Sequence, residues 1–125
     1  MDELCVMTWN DHCLTAALSG EVDHHMALAL RNVLDEEIRA GAQRWKRVDL
    51  IFDFSEVSFM DSSGIGVVMG RYNTVRIAGG TIYVTGCDPY VERLLEMAGI
   101  WLITTKMATV EEALAASRER RRNNG

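Results

Sequence analysis

The sequence predicts a single α/β domain in which a mixed, mostly parallel β-sheet is flanked by about four α-helices. The chain has 125 residues, of which 48% are hydrophobic and 25% charged, the balance of one globular domain. Two strand-like segments open the chain, and strand-like and helix-like segments alternate after them. A tight turn makes the first pair of strands antiparallel, whereas strand–helix–strand crossovers make the later strands parallel.

The first two strands are predicted over residues 4–9 and 12–19, separated by the turn pair Asn10-Asp11. Asp23 is the predicted N-cap of the first helix, because its carboxylate can accept hydrogen bonds from the first-turn amides. Apolar residues at helical spacing predict the buried stripe of that helix: Ala27, Leu30, Val33, Leu34 and Ile38. Gly41 is the predicted left-handed stop.

The apolar segment 48–54 predicts the central strand, followed by a loop over 55–60. A second helix then begins near Asp61 and ends at Gly79-Gly80. Its predicted buried stripe consists of Ile65, Val68, Met69, Tyr72 and Val75.

Residues 81–85 predict the next strand. Asp88-Pro89 marks the start of a third helix, whose predicted buried stripe is Val91, Leu94, Leu95 and Ala98 and whose predicted stop is Gly99. Residues 101–103 suggest one more short strand, and Thr109 and Glu112 form a capping box before the closing helix. We expect one domain over residues 1–117 and a basic, frayed tail over 118–125.

Composition disfavours several classes of function. The formal net charge of −5 opposes binding to nucleic acid or to an anionic membrane surface. No apolar stretch of about 18 residues is present to span a membrane, and the acidic start lacks a secretory signal pattern. The three cysteines form no CxxC pair, and His24 and His25, being adjacent, point in different directions on a helix. We therefore expect a cytoplasmic protein without a metal or another cofactor.

The candidate site is the turn from the central strand into the second helix. A helix start has unpaired amides and partial positive charge, which suit a phosphate. Three interpretations compete: Ser62 and Ser63 cap the helix, the Gly64–Gly66 turn binds a nucleotide, or a serine itself carries the phosphate. The glycine spacing departs from GxGxxG and no GK[ST] follows, which weakens the nucleotide interpretation. A GxSxG nucleophile elbow is also absent.

The residues of this turn resemble a known motif. FMDSSGIG at residues 59–66, after an apolar strand, resembles the phosphorylation motif of anti-sigma factor antagonists, the bacterial branch of the STAS domains. GEVD at residues 20–23 resembles the second signature of that family. DHH at 23–25 and GRY at 70–72 resemble its sporulation members more than its stress-response members. The similarity extends over about residues 5–114.

The resemblance implies a STAS-type fold and a binding module that is not an enzyme. In its unphosphorylated form such a protein binds an anti-sigma factor that is also a GHKL-type serine kinase, and thereby releases the sporulation sigma factor. The kinase phosphorylates the first serine of the motif, here Ser62, and a PP2C-type phosphatase restores the free form. The resemblance implies a partner-binding surface of Gly20, Glu21, Asp23, Asp61, Ser62, Ser63 and Gly64. The alternative is a small nucleotide-binding or phosphotransfer enzyme that uses the Gly64–Gly66 turn.

Overall fold

A computed structural model describes residues 5–124, which form one five-stranded sheet with four α-helices. The strands lie in the order β1-β2-β3-β4-β5, and the bounds are β1 (Cys5–Asn10), β2 (Cys13–Val22), β3 (Asp49–Met60), β4 (Ile82–Thr85) and β5 (Thr105–Lys106). The helices are α1 (His24–Arg44), α2 (Ser62–Ile77), α3 (Pro89–Met97) and α4 (Val110–Asn124). Strands β1 and β2 are antiparallel and the other neighbours are parallel. The predicted fold class and the central position of β3 are confirmed.

The two faces of the sheet bury different sets of side chains. Alternate residues of β3, such as Leu50 and Phe52, pack into a large core with the helices α1, α2 and α3. Ile51 points to the opposite face, where it packs with Tyr83 and with Ala113 of α4. Because strand side chains alternate between faces, one apolar strand supplies both cores.

The central strand is longer than predicted. Residues 55–60 continue β3 instead of forming a loop, because they pair with the second half of β2, from Ser19↔Glu56 to Val22↔Met60. Two register shifts interrupt this pairing. As a result two exposed residues, instead of one, separate the buried residues Val57 and Met60. The alternation that identifies a strand in sequence is therefore lost, although the ladder continues to the candidate site.

Gly41 does not stop the first helix. It is buried inside α1, and a Cβ atom there would lie 2.3 Å from Cη2 of Trp9. The close approach of the Trp9 ring therefore explains this glycine. The helix ends at Arg44, and the Trp45 amide donates to the Gly41 carbonyl at 2.7 Å. The predicted buried stripe of α1 is confirmed except for Val33, which is 43% exposed.

Helix α2 also buries a different set of residues from the predicted stripe. Met69 is 45% exposed, whereas Arg71 is buried. The Arg71 guanidinium is within the core because its Nε lies 2.8 Å from Asp35 Oδ1 of α1, and Thr74 donates to the same oxygen. Periodicity alone could not identify this pair, since a charged residue is normally counted on the solvent side.

The C-terminal third confirms several predictions and corrects two. Asp88 caps α3, and Gly99 adopts the left-handed conformation at φ 77°. Residues 101–103 do not form a strand: Ile100–Leu102 is a short 3-10 helix, and β5 follows it. Residues 118–124 are not a frayed tail either, since α4 extends to Asn124. The domain limit at 117 stays a prediction.

The capping box of α4 forms only in part. The Glu112 amide donates to Thr109 Oγ1 at 3.1 Å, as predicted. The Glu112 carboxylate, however, accepts from the Ala108 amide at 3.4 Å, one residue before the expected partner.

Candidate functional site at the Ser62 turn

Two adjacent parallel strands bring the two sequence motifs together. Glu21 pairs in register with Phe59, and Val22 pairs with Met60. The segment 20–23 therefore lies beside the segment that leads into α2. Gly20 has a φ of 79°, a conformation that favours glycine, and it lies at one of the register shifts. Both motifs thus meet at the carboxyl edge of the sheet.

Aspartates, rather than serines, cap the two helices at this edge. Asp61 Oδ1 accepts from the Ser63 amide at 2.8 Å, and the Asp61 carbonyl accepts from the Gly64 amide at 3.0 Å. Asp23 Oδ1 accepts from the Met26 amide at 3.0 Å, as predicted. The interpretation that the serines cap α2 is therefore wrong. Two first-turn amides of α2 are already engaged, and a carboxylate already stands at the positive end of its dipole.

The glycines of the turn have different roles. A Cβ atom on Gly64 would lie 2.4 Å from Met60 Cγ, so Gly64 is needed for helix α2 to pack on the end of β3. At Gly66 and Gly70 a Cβ atom would meet nothing within 4 Å. Tyr90 of α3 supports the same strand end by donating from its hydroxyl to the Met60 carbonyl at 3.2 Å. The turn is therefore held by packing on one side and open on the other.

Ser62 is exposed, and its hydroxyl has no hydrogen-bond partner among residues 5–124. Ser63 is half-buried, and its amide is tied to Asp61. Among the other predicted contact residues, Glu21 is exposed, Gly20, Asp23 and Asp61 are half-buried, and Gly64 is buried. Gly64 therefore supports the surface from beneath, while the Ser62 hydroxyl is accessible from solvent.

The outward face of α2 extends away from Ser62 and is exposed to solvent. The residues 4, 7, 8 and 11 positions after Ser62 are exposed, namely Gly66, Met69, Gly70 and Asn73, whereas Ile65, three positions after it, is half-buried. At the other end of this face Ile77 is 84% exposed. Small side chains beside exposed apolar ones suit contact with another protein more than enclosure of a small molecule.

Within the described part of the chain, no group of three or more His, Cys, Asp or Glu side chains could hold a metal ion. His24 and His25 are both exposed on the first turn of α1. Among residues 5–124, no helix is long and apolar enough to cross a membrane.

A buried polar network at the opposite edge of the sheet escaped sequence analysis. Ser117 of α4 donates to Asp49 Oδ2 at 2.5 Å, and His12 Nε2 lies 2.9 Å from the Ser117 oxygen. Because the single hydroxyl proton goes to Asp49, His12 Nε2 is the donor to Ser117. Asp49 Oδ1 also accepts from Arg47 Nε and from the Thr81 amide.

This network contains the residue types of a hydrolytic triad but not its arrangement. In a triad the histidine accepts the serine proton, whereas here the aspartate accepts it directly. Ser117, His12 and Asp49 are at most 1% exposed, so no substrate can reach them. The network fastens α4 to the starts of β2 and β3. No local signal could have found it, because 105 positions separate His12 from Ser117.

Comparison with known proteins assigns the family. Residues 6–113 match the STAS domain family. The chain is 40% identical over 90 residues to an anti-sigma F factor antagonist of Paenibacillus polymyxa, covering 72% of this chain and 74% of that protein.

Two solved structures are similar along nearly the whole chain. The unphosphorylated form of the anti-sigma factor antagonist SpoIIAA has a TM-score of 0.77 and 26% identity, covering 92% of this chain and 96% of that one. The phosphorylated form of SpoIIAA from Bacillus has a TM-score of 0.70 and 28% identity, covering 90% and 97%. The chain therefore belongs to the STAS-domain family and is an anti-sigma factor antagonist, a regulatory protein and not an enzyme.

Proposed function

We propose that this protein binds an anti-sigma factor that is also a GHKL-type serine kinase, and that it thereby releases a sporulation sigma factor in the cytoplasm. Phosphorylation of Ser62 by that kinase ends the binding, and a PP2C-type phosphatase restores it. The observation that carries the proposal is the exposed, unpaired Ser62 hydroxyl at the start of α2. The relative at 40% identity is an anti-sigma F factor antagonist, and the similar SpoIIAA also exists in a phosphorylated form.

The charge of the phosphate supplies the switch. A phosphoserine carries about −1.5 to −2 charges near neutral pH. Within the domain the positive end of the α2 dipole stabilises the phosphate by roughly 0.3–1 kcal/mol, while the negative Asp61 carboxylate repels it. Since Ser62 makes no contact that the phosphate must break, we expect the fold to survive almost unchanged.

At an interface the same charge has a larger effect. Two like charges about 4 Å apart repel by about 4 kcal/mol at an effective dielectric constant near 20. Each 1.4 kcal/mol lost weakens binding about tenfold. Part of this repulsion, together with the volume of the phosphate, is therefore enough to release a partner that covers Ser62.

The proposed contact surface combines segment 20–23, Asp61 to Ser63, and the outward face of α2. Glu21 and Ser62 are exposed at its centre, and Met69 adds apolar area. Gly66 and Gly70 leave open space on which a partner can approach the helix backbone. A loop of the kinase that delivers ATP to Ser62 has to approach along this face.

The alternative function, a nucleotide-binding or phosphotransfer enzyme using the Gly64–Gly66 turn, is less well supported. The Ser63 and Gly64 amides, which would hold a phosphate in such a turn, are bonded to Asp61. The absence of a side chain at Gly64 accommodates Met60 and leaves no space for a ligand.

The test is to incubate the purified protein with labelled ATP, alone and with the cognate anti-sigma kinase, and to locate the phosphate by mass spectrometry. We expect uptake only with the kinase, at Ser62. Ser62→Ala should bind the kinase without accepting phosphate, and the matched variant Ser63→Ala should still be labelled. Label that persists in Ser62→Ala would move the acceptor to another serine, and nucleotide turnover without a partner would favour the enzyme.

A further inference from the structure

The amino edge of the sheet contains an open cavity of about 740 Å³ whose charged walls are positive. His12, Arg47 and Gly79, which directly precede or lie close before β2, β3 and β4, line its inner side. Arg44 and Lys46, which flank Trp45, and Arg121 of α4 complete the wall. Among residues 5–124, no carboxylate lines this cavity. In a chain with a formal charge of −5, such a concentration of positive charge requires an explanation.

Three of these cations are not neutralised. Within the described residues, no ion pair joins a carboxylate to Arg44, Lys46 or Arg121, whereas Arg47 is paired with the buried Asp49. The guanidinium carbons of Arg44 and Arg121 both lie 5.3 Å from the centroid of the Trp45 ring. One indole therefore holds two arginines in place, which lowers the entropy lost when they bind an anion.

His12 supplies a second, independent observation. It lines the cavity and is 1% exposed, and its Nε2 is used by Ser117. Its other ring nitrogen, Nδ1, has no hydrogen-bond partner among the described residues. Buried polar atoms are normally paired by the protein, by water or by a ligand. Since Nε2 is the donor to Ser117, Nδ1 of a neutral imidazole is an acceptor, so the missing group has to be a hydrogen-bond donor, such as a water molecule or the P–OH of a hydrogen phosphate.

The ends of the helices offer another explanation for these cations. The C-terminal ends of α1, α2 and α4 lie toward this edge, and cations stabilise such ends. This accounts for Arg44 in the last turn of α1 and Arg121 in the last turn of α4, but not for Lys46, for the concavity or for the unpartnered His12 nitrogen. An adjoining hollow shares Arg44 and Trp45 but contains Asp11 and Glu37. An anion is therefore favoured only on the side of Lys46 and Arg121.

We propose that this cavity binds a multivalent oxyanion of the phosphate class, either free or as the phosphate group of a larger molecule, held by Arg44, Lys46 and Arg121. Guanidinium groups form paired, charge-assisted hydrogen bonds to phosphate, and the cavity volume lies in the ordinary range for small-molecule sites. Ser62 lies beyond the other end of β3, whose 12 residues extend over roughly 35 Å. The ligand therefore does not contact the proposed kinase surface, and its binding does not depend on the proposed function.

The test is calorimetric titration of the whole protein with inorganic pyrophosphate and, separately, with inorganic phosphate. We expect saturable one-to-one binding of pyrophosphate below about 1 mM, weaker binding of phosphate, and loss of affinity in added salt. The double variant Lys46→Gln/Arg121→Gln should weaken binding at least about tenfold. Both substituted residues are exposed, so thermal melting should show an intact fold.

Arg122→Gln is the matched control, because Arg122 is next to Arg121 in α4 but does not line the cavity and is paired with Glu119. It should leave the affinity almost unchanged, and backbone amide shifts on titration should be confined to residues near Lys46, Gly79 and Arg121. Equal weakening in the control would mean diffuse attraction and would overturn the proposal. Absence of pyrophosphate binding, or binding only of an acidic peptide added in its place, would overturn it as well.

Discussion

The two edges of the sheet use the same residue types in opposite ways. At the carboxyl edge, Asp61 caps its own helix and Ser62 next to it is exposed and unpaired. At the amino edge, Asp49 and Ser117 are buried and bonded to each other across 68 positions of the chain. A charge added at Ser62 meets solvent and, in the proposed function, a partner, whereas loss of the buried Asp49 or Ser117 side chain disrupts the core. The fold thus separates the proposed switch from the parts that keep the domain stable.

The largest difference should appear when one residue of each edge is truncated. Asp49→Ala leaves Arg47, Ser117 and the Thr81 amide without their acceptor, so we expect a loss of about 3–5 kcal/mol in the free energy of unfolding. Ser62→Ala should change it by less than about 0.5 kcal/mol. Urea denaturation of both variants measures these changes in the free energy of unfolding. Similar losses in the two variants would contradict the separation of switch and core.

Two glycines of α2, only two positions apart, sharpen the comparison within the carboxyl edge. Gly64→Ala places a methyl group against Met60, and we expect it to destabilise the protein by about 1–3 kcal/mol. Gly66→Ala has open space and should stabilise the helix by up to about 1 kcal/mol.

The same pair distinguishes folding from binding. Because the methyl group of Gly66→Ala lies on the outward face, this variant should bind the anti-sigma kinase less tightly although its melting temperature rises. A fall in the stability of Gly66→Ala would contradict the described geometry, and unchanged kinase affinity would remove this part of α2 from the proposed surface.

A thiol of the buried region provides a pH test. Burial raises the pKa of Cys13 to about 12, against 9.0 for a free thiol. The folded state therefore keeps its proton while the unfolded state loses it, so stability should be unaffected below pH 9 and fall as the pH rises from 9 toward 12. The loss at pH 10 should be about 1.4 kcal/mol. Cys13→Ala should lower stability at pH 8 but flatten its decline above pH 9, as measured by denaturation at each pH.

The smallest effect separates a cap from a contact. Asp23→Ala removes the acceptor of the Met26 amide and should cost about 1 kcal/mol of stability. Asp23→Asn keeps a good cap while removing the charge, so its stability should be close to that of the unchanged protein. If Asp23 also contacts the kinase through its charge, both variants should bind it more weakly. If Asp23→Asn binds the kinase with unchanged affinity, the role of Asp23 is only to cap the helix.

Features whose signal is local are predicted correctly from the sequence. The caps Asp23 and Asp88 and the stop at Gly99 depend on residues within one helical turn. The candidate turn was likewise found from contiguous residues. These features can be read without a fold because the interacting atoms are joined by a few bonds of the same chain.

The errors arose where distant residues decide the local structure. Gly41 contacts the Trp9 ring, and Arg71 is buried because it forms an ion pair with Asp35 of another helix. Residues 55–60 form a strand because they pair with β2. In each case a pattern that usually ends or exposes a segment was overruled by a long-range contact. The interpretation in which Ser62 and Ser63 cap α2, one of the three left open, is wrong for a different reason, since Asp61 and the two serines are adjacent and equally good caps in sequence.

The central claim is that a phosphate on Ser62 acts locally. The most direct measurement compares the affinity for the cognate anti-sigma kinase, and the backbone amide spectrum, of the protein before and after stoichiometric phosphorylation. We predict that affinity falls at least about tenfold, while amide shifts remain confined to segments 20–23 and 59–66 and the adjoining face of α2. Unchanged affinity, or shifts that spread through β4 and α4 to the buried Asp49 network, would contradict it.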